Sequence, residues 1–227
     1  MYHIILAGDS IFDNKRYVRS GEPDVATQVR KLLDRDDDVT LLAFDGDVTK
    51  NVEDQLKGLP NDATHLFISV GGNDAIGNLR LLERSVSNIG DAFNEFYDVM
   101  KDFEKDYIKM LVNAMRCGLK TTICTIYHPN FDLGRSDRIE HLLPHRVELP
   151  QIQKKAITGL TIFNDIIFQE AVNFGLPVMD LRLIFSEDTD YANAVEPSAV
   201  GGAKMARIIK EIVHDHDFSL SNTVVFK

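Results

Sequence analysis

The chain has 227 residues, of which 44% are hydrophobic and 26% are charged, and its 25 Lys and Arg against 35 Asp and Glu give a formal net charge of −10. This length and composition predict one globular domain over residues 1–227. The acidic balance disfavours nucleic acid and anionic membranes as partners, because like charges repel. No apolar run approaches the ~18 residues of a membrane span, and the N-terminus lacks a secretory signal pattern. With only two cysteines, Cys117 and Cys124, we expect a reduced, cytoplasmic protein.

Apolar runs of strand length alternate along the chain with segments whose apolar residues recur at helical spacing. The predicted strands are 3–7, 39–44, 65–70, 120–127 and 176–179. The predicted helices are 23–33, 91–117, 152–174 and 197–214, with Pro23 and Pro197 in their first turns. Residues 48–56 are predicted to form a short helix or a turn. This alternation predicts a three-layer α/β/α fold, in which helices cover both faces of a five-stranded parallel sheet of flavodoxin-like order 2-1-3-4-5.

Two segments do not follow this alternation. Residues 128–150 are polar and contain three prolines, and such a long connection is typical either of a lid loop over a site or of a surface excursion. The tail, residues 218–227, either adds an edge strand through 223–226 or is loose. The sequence pattern leaves both alternatives open in each segment.

Short polar clusters follow the first three predicted strands: Gly8-Asp9-Ser10, Asp45-Gly46-Asp47 and Gly71-Gly72-Asn73-Asp74. Ligands of open parallel sheets bind beyond the carboxyl ends of the strands. In the order 2-1-3, neighbouring strands about 4.8 Å apart place Ser10 between Gly46 and Asn73. A hydroxyl nucleophile between backbone and side-chain N–H donors is what acyl transfer needs, because such donors stabilise the oxyanion of a tetrahedral intermediate.

With these motifs the chain resembles the SGNH hydrolases, also called the GDSL family. Gly8-Asp9-Ser10-Ile11 is similar to the nucleophile block, Gly46 to the glycine block, and Gly71-Gly72-Asn73-Asp74 to the block that carries the oxyanion asparagine. The blocks occur in the family's order and span nearly the whole chain. The resemblance implies a serine esterase with Ser10 as nucleophile, and a small-molecule or acylated carbohydrate ester as substrate.

The last block of the family departs from this resemblance at two catalytic positions. The family reads Asp-x-x-His-Pro there, whereas this chain reads Asn193-Ala194-Val195-Glu196-Pro197. Glu196 can accept the Ser10 proton, although the reference pKa of a carboxyl lies roughly two units below that of an imidazole. His128, at the end of the fourth strand, and His141 and His145, in the candidate lid, are the alternative bases.

Further residues near the strand ends are assigned to the surroundings of the site. Asp9, Asp74 and His128 are predicted near the substrate, and Asp9 and Asp74 are also expected to cap backbone N–H groups in their tight turns. His141 and His145 have metal-ligand spacing, but Pro144 and the lack of a third ligand argue against a metal. We expect neither a metal nor another cofactor.

Two other functions compete with the esterase. Asp45-Gly46-Asp47-Val48-Thr49 resembles the first motif of haloacid-dehalogenase-like phosphatases, which implies Asp45 as nucleophile, Asp47 as acid/base and Mg²⁺ as cofactor. The SGNH interpretation uses more positions in the right order and is preferred. The second alternative is a catalytically degenerate SGNH-like protein that binds an acyl or glycan ligand, since both the Asp and the His of the triad are replaced.

Overall fold

A six-stranded parallel sheet forms the centre of the molecule, whose computed structural model describes residues 1–133 and 149–227. The strands are β1 His3–Gly8, β2 Asp38–Leu41, β3 His65–Ser69, β4 Lys120–Cys124, β5 Val178–Met179 and β6 Val225–Phe226. Their order is β2-β1-β3-β4-β5-β6, and every neighbouring pair is parallel. The α/β class and the order of the first five strands are confirmed.

The predicted number of strands was wrong by one, because the tail takes its edge-strand alternative. Val225 pairs with Val178 and Phe226 with Met179 in β5. The backbone N–H groups of Val178 and Asp180 donate to Val224 and Phe226. The tail therefore supplies hydrogen-bond acceptors that β5 would otherwise lack on that side.

Seven α-helices lie within the described residues. They are α1 Val25–Leu32, α2 Val52–Gln55, α3 Gly72–Gly77, α4 Ile89–Met115, α5 Leu149–Phe174, α6 Leu181–Ile184 and α7 Ala199–Asp215. Short 3₁₀ turns flank α2, so the segment predicted over 48–56 as a short helix or a turn consists of three short helical pieces.

The two prolines expected in first helical turns lie just before their helices instead. Asp24 is the N-cap of α1, because its carboxylate accepts the Thr27 N–H. Ser198 is the N-cap of α7, and its hydroxyl accepts the N–H groups of Val200 and Gly201. A capping side chain satisfies N–H groups that a first turn leaves without helical partners, so each helix begins one residue after its cap.

The side chains of β1 alternate between two apolar cores. Ile5 and Ala7 pack in the core on one face of the sheet, under α2, α4 and α5. Ile4 and Leu6 pack in the core on the other face, under α1, α6 and α7. Burial on both faces explains why β1 reads as a continuous apolar run in the sequence, and the three-layer arrangement is confirmed.

The described ranges contain no helix that combines the length and the apolar character needed to cross a bilayer. His141 and His145 and most of the candidate lid loop lie outside the described residues.

Candidate active site

The turn after β1 carries Ser10 and is shaped by the close approach of β3. Gly8 has φ +129°, and a Cβ atom there would lie 1.8 Å from the backbone oxygen of Ser69. Only glycine fits this position without displacing β3. The chain then reverses as the N–H groups of Phe12 and Asp13 donate to the Asp9 carbonyl, at 3.2 and 3.1 Å. Ser10 thus lies at the carboxyl end of the sheet and is 7% exposed.

The side chain that meets Ser10 comes from the other end of the sequence. The Ser10 hydroxyl donates a hydrogen bond to Oε1 of Glu196 at 3.1 Å, and the two residues are 186 positions apart. Glu196 is 4% exposed. A buried carboxylate that accepts a hydrogen bond from a serine hydroxyl is placed to remove its proton.

A turn over residues 191–197 holds Glu196 in this position. Oδ1 of Asn193 accepts the N–H groups of Val195 and Glu196, at 3.0 and 3.1 Å. The Glu196 carbonyl accepts the Ala192 N–H at 2.8 Å. The Tyr127 hydroxyl donates to the Val195 carbonyl at 2.5 Å. Asn193, at the family's acid position, therefore acts on the backbone that carries Glu196.

Asn73 lies in the first turn of α3 and connects to the loop after β2. Its Nδ2 donates to the backbone carbonyl of Asp47 at 2.9 Å. The second Nδ2 hydrogen remains available, because a side-chain amide has two donors. Gly46, next to Asp47, has φ +95°, and the space where a Cβ atom would lie is open. Because glycine has no side chain, the loop backbone at this position stays uncovered, which suits a backbone N–H donor.

Ser10, Asn73 and Glu196 share one cavity of about 130 Å³. Asp9 and Tyr127 also line it. Most of the remaining lining is apolar and includes Ile76, Leu79, Phe96, Ile126, Leu160 and Phe163. Gly46, Asp74 and His128 are not among the lining residues. The structure therefore brings the Ser10 hydroxyl, the Glu196 carboxylate and the Asn73 amide together beside a largely apolar chamber.

The two neighbouring aspartates differ in how they contact this cavity. Asp9 is 2% exposed, and its Oδ1 accepts the Ile11 N–H at 3.1 Å. Burial, with the nearby charges of Asp74 and Asp45, raises the pKa of Asp9 to about 7. Asp74 accepts the backbone N–H and the hydroxyl of Thr49, both at 3.0 Å, and burial raises its pKa. Asp9 caps an N–H group of its own turn, as expected, whereas Asp74 caps Thr49 in the segment after β2, 25 positions away in the chain.

None of the five histidines in the described residues lines the cavity. His128 is half-buried, and burial together with the Arg182 charge lowers its pKa. His3 and His65 are in the first positions of β1 and β3, at the opposite end of the sheet from Ser10. Among the described residues, Glu196 is thus the side chain that hydrogen-bonds to Ser10 as a catalytic base would.

The phosphatase alternative requires Asp45 and Asp47 to face one open site. Asp45 instead accepts hydrogen bonds from the Tyr17 hydroxyl and from Arg16. Oδ2 of Asp47 accepts from Nε2 of Gln55 at 2.7 Å. Neither aspartate lines the cavity. Among the described residues, no three His, Cys, Asp or Glu side chains gather closely enough to hold a metal ion.

Sequence reasoning missed Gln55, which contacts both the β1 turn and the loop after β2. The sequence around Gln55 gives only a weak indication of these contacts. Gln55 follows Val52 by three residues and precedes Leu56 by one, and both apolar neighbours are buried. A polar side chain on the buried face of a helix requires a hydrogen-bond partner.

No protein-family model matches the chain, and no curated protein matches it in sequence. Solved structures do resemble it. An extracellular lipase from Streptomyces rimosus has a TM-score of 0.61 at 15% identity, covering 93% of this chain and 99% of the lipase. The acetyl xylan esterase AlAXEase has a TM-score of 0.63 at 16% identity, with 93% and 99% covered. A proposed lipolytic protein of the G-D-S-L family from Desulfitobacterium hafniense has a TM-score of 0.58 at 11% identity, with 91% and 95% covered.

The fold is that of the SGNH hydrolases. The similar structures and this chain match over more than nine-tenths of their lengths. At these identities the likeness shows the fold alone.

Proposed function

We propose that this chain is a serine-dependent ester hydrolase of the SGNH type, with Ser10 as nucleophile and Glu196 as base. The observation that carries the proposal is the 3.1 Å hydrogen bond from the Ser10 hydroxyl to Oε1 of Glu196. The contact joins the two ends of the sequence at the carboxyl edge of the sheet, where ligands of such folds bind. The names of the similar structures, a lipase and an acetyl xylan esterase, support ester hydrolysis.

The proposed reaction has two half-reactions. Oγ of Ser10 attacks the carbonyl carbon of the ester while its proton moves to Oε1 of Glu196, which gives a tetrahedral intermediate. The intermediate collapses, the C–O bond to the alcohol breaks, and Glu196 returns the proton to the departing alkoxide. Glu196 then takes a proton from water, the resulting hydroxide attacks the acyl-Ser10 ester, and Ser10 recovers its proton as the acid leaves.

The negative charge of each tetrahedral intermediate needs fixed hydrogen-bond donors. We assign this role to the backbone N–H groups of Ser10 and Gly46 and to Nδ2 of Asn73. The link from Asn73 to Asp47, the neighbour of Gly46, supports the assignment because it ties two of the three donors together. Removal of one such donor typically costs about 100- to 1000-fold in rate.

The cavity supports a small ester with an apolar acyl group. Side chains such as Phe96, Leu160 and Phe163 offer hydrocarbon surface beside Ser10. An apolar acyl chain gains about 25 cal/mol for each Å² that it removes from water.

Labelling by a fluorophosphonate probe at neutral pH tests the nucleophile. We expect adduct formation on Ser10, identified by mass spectrometry, and hydrolysis of p-nitrophenyl esters. Ser10→Ala should remove the adduct and lower turnover at least about 1000-fold. Ser20→Ala, at an exposed loop position, is the matched control and should keep both.

Three outcomes would contradict the proposal. Equal ester hydrolysis in wild type and Ser10→Ala would exclude the mechanism. Absence of labelling and of turnover would favour a ligand-binding protein, and magnesium-dependent hydrolysis of phosphate esters would favour Asp45 as nucleophile.

A further inference from the structure

The side chain of Gln55 makes three hydrogen bonds, two to the end of β1 and one to the loop after β2. Its Oε1 accepts the backbone N–H of Gly8 at 2.8 Å. Its Nε2 donates to the carbonyl of the same Gly8 at 2.7 Å and to Oδ2 of Asp47 at 2.7 Å. Gln55 is the last residue of α2, so one amide connects a helix, the strand that leads to Ser10, and the loop that contains Gly46.

Gln55 occupies the place of a missing strand partner. Residues of β2 pair with β1 only as far as Leu41 opposite Leu6. Beyond this point the N–H groups of Leu42 and Ala43 both donate to the Leu6 carbonyl. Beside Gly8, the Phe44 N–H reaches the Gly8 carbonyl, and the Gly8 N–H is satisfied by Gln55. The side-chain amide of Gln55 therefore continues the hydrogen bonding along this edge of β1 as far as Gly8, two residues before Ser10.

The contacts continue from Gln55 to Asn73. The carboxylate of Asp47 accepts from Gln55, and the backbone carbonyl of Asp47 accepts from Nδ2 of Asn73. A change at Gln55 thus reaches the nucleophile turn directly, through Gly8. It reaches the Gly46 and Asn73 donors through one intermediate residue, Asp47.

We propose that Gln55 is a positioning residue that fixes the spacing between the Ser10 turn and the oxyanion donors at Gly46 and Asn73. The proposal rests on the proposed function, since it assigns Gln55 to the geometry of that site. Misplacement of reacting groups by about 1 Å can cost on the order of 100-fold in rate, so a residue that touches no substrate can still govern turnover.

Gln55→Met tests the proposal because methionine keeps the length of the side chain and removes all three hydrogen bonds. We expect kcat to fall by about 10- to 100-fold with KM changed less than about threefold. Thr64→Val is the matched control. The Thr64 hydroxyl bridges the N–H and the carbonyl of His3 at the other end of β1, at 2.9 and 3.1 Å. Its loss should lower stability and leave kcat within about twofold.

A double-mutant cycle with Asn73→Ala separates positioning from general destabilisation. If Gln55 acts through the oxyanion donors, the effect of Gln55→Met on kcat should shrink by about tenfold in the Asn73→Ala background. Equal effects in both backgrounds, or a kcat no lower than that of Thr64→Val, would overturn the proposal.

Amide hydrogen exchange gives a readout that does not need turnover. Gln55→Met should speed exchange in residues 44–48 by about tenfold or more, whereas Thr64→Val should not, because its bonds lie at the opposite end of the sheet. Unchanged exchange in 44–48 would also overturn the proposal. Failure of the proposed function has a different signature: ester hydrolysis that is absent, or that survives Ser10→Ala, while the exchange result still reports whether Gln55 holds the loop.

Discussion

The Ser10 hydroxyl meets a carboxylate rather than an imidazole, and these groups accept protons over different pH ranges. An ordinary glutamic acid has a pKa of about 4.3 and an ordinary histidine one of about 6.5. With Glu196 as base, the rising limb of the kcat/KM profile should report the ionisation of a carboxyl group rather than of an imidazole. Steady-state hydrolysis of a p-nitrophenyl ester between pH 4 and 8 measures this limb.

Two substitutions at Glu196 sharpen this prediction. Glu196→Gln retains an oxygen that can accept the Ser10 hydrogen bond but cannot take its proton, so turnover should fall at least about 1000-fold. Glu196→His restores the residue usual in the SGNH family and should move the limb toward the imidazole range. Full activity in Glu196→Gln would transfer the base role to His128, His141 or His145.

At the residue scale, the sequence predicts local motifs but does not predict side-chain partners from distant segments. Ser10 and Asn73 follow strands within recognisable glycine-rich turns, so the sequence gives candidates without any tertiary information. The partners of Gln55 at Gly8 lie 47 positions away, and no local pattern encodes such a contact. Sequence pointed to Glu196 only because it occupies a known block, and its catalytic role stays a prediction.

At the scale of elements, the turn that carries Glu196 depends on one side-chain oxygen. Asn193→Ala removes the acceptor for the N–H groups of Val195 and Glu196, whereas Asn193→Asp keeps an oxygen in the same place. We expect kcat to fall about tenfold or more in Asn193→Ala and much less in Asn193→Asp, with little change in KM. Steady-state kinetics and thermal unfolding of both variants provide the check. Equal kcat values in the two variants would show that the turn does not position the base.

The bounds of several helices and strands depend on contacts that the hydrophobic periodicity of the sequence does not reveal. The buried strands β1 and β3 follow directly from apolar runs, because both faces are covered. The start of α7 was misplaced because the Ser198 hydroxyl caps it after Pro197. β6 is only two residues long, and its identity as a strand comes from pairing with β5 rather than from its own sequence.

At the scale of the whole molecule, two buried titratable groups lie at opposite ends of the sheet and act on stability in opposite directions. Asp9 is at the carboxyl end, and burial with the Asp74 and Asp45 charges raises its pKa from 3.8 to about 7. His65 is at the amino end, and burial with the Lys120 and His214 charges lowers its pKa from 6.5 to about 4. The native state binds Asp9's proton more tightly than the unfolded state does, and His65's proton less tightly.

The sign of each contribution follows from this difference in proton binding. The contribution of Asp9 is complete below pH 3.8 and is lost as the pH rises through about 7. The contribution of His65 is complete above pH 6.5 and is lost as the pH falls through about 4. Between about pH 4 and 6.5 the two contributions change in opposite directions. Neither can therefore be read from the pH dependence of the wild-type free energy of unfolding alone.

Asp9→Asn should reveal the hidden contribution of Asp9. Asparagine resembles the neutral acid and keeps an oxygen for the Ile11 N–H. The free energy of unfolding of the variant, relative to wild type, should therefore rise between pH 4 and pH 8, by on the order of 3 kcal/mol. Urea unfolding at several pH values measures this difference, and Asp132→Asn, at an exposed position, is the control. A difference that stays constant across the range would mean that the pKa of Asp9 is the same in the native and unfolded states, and that Asp9 is therefore ionised beside Ser10 throughout this range.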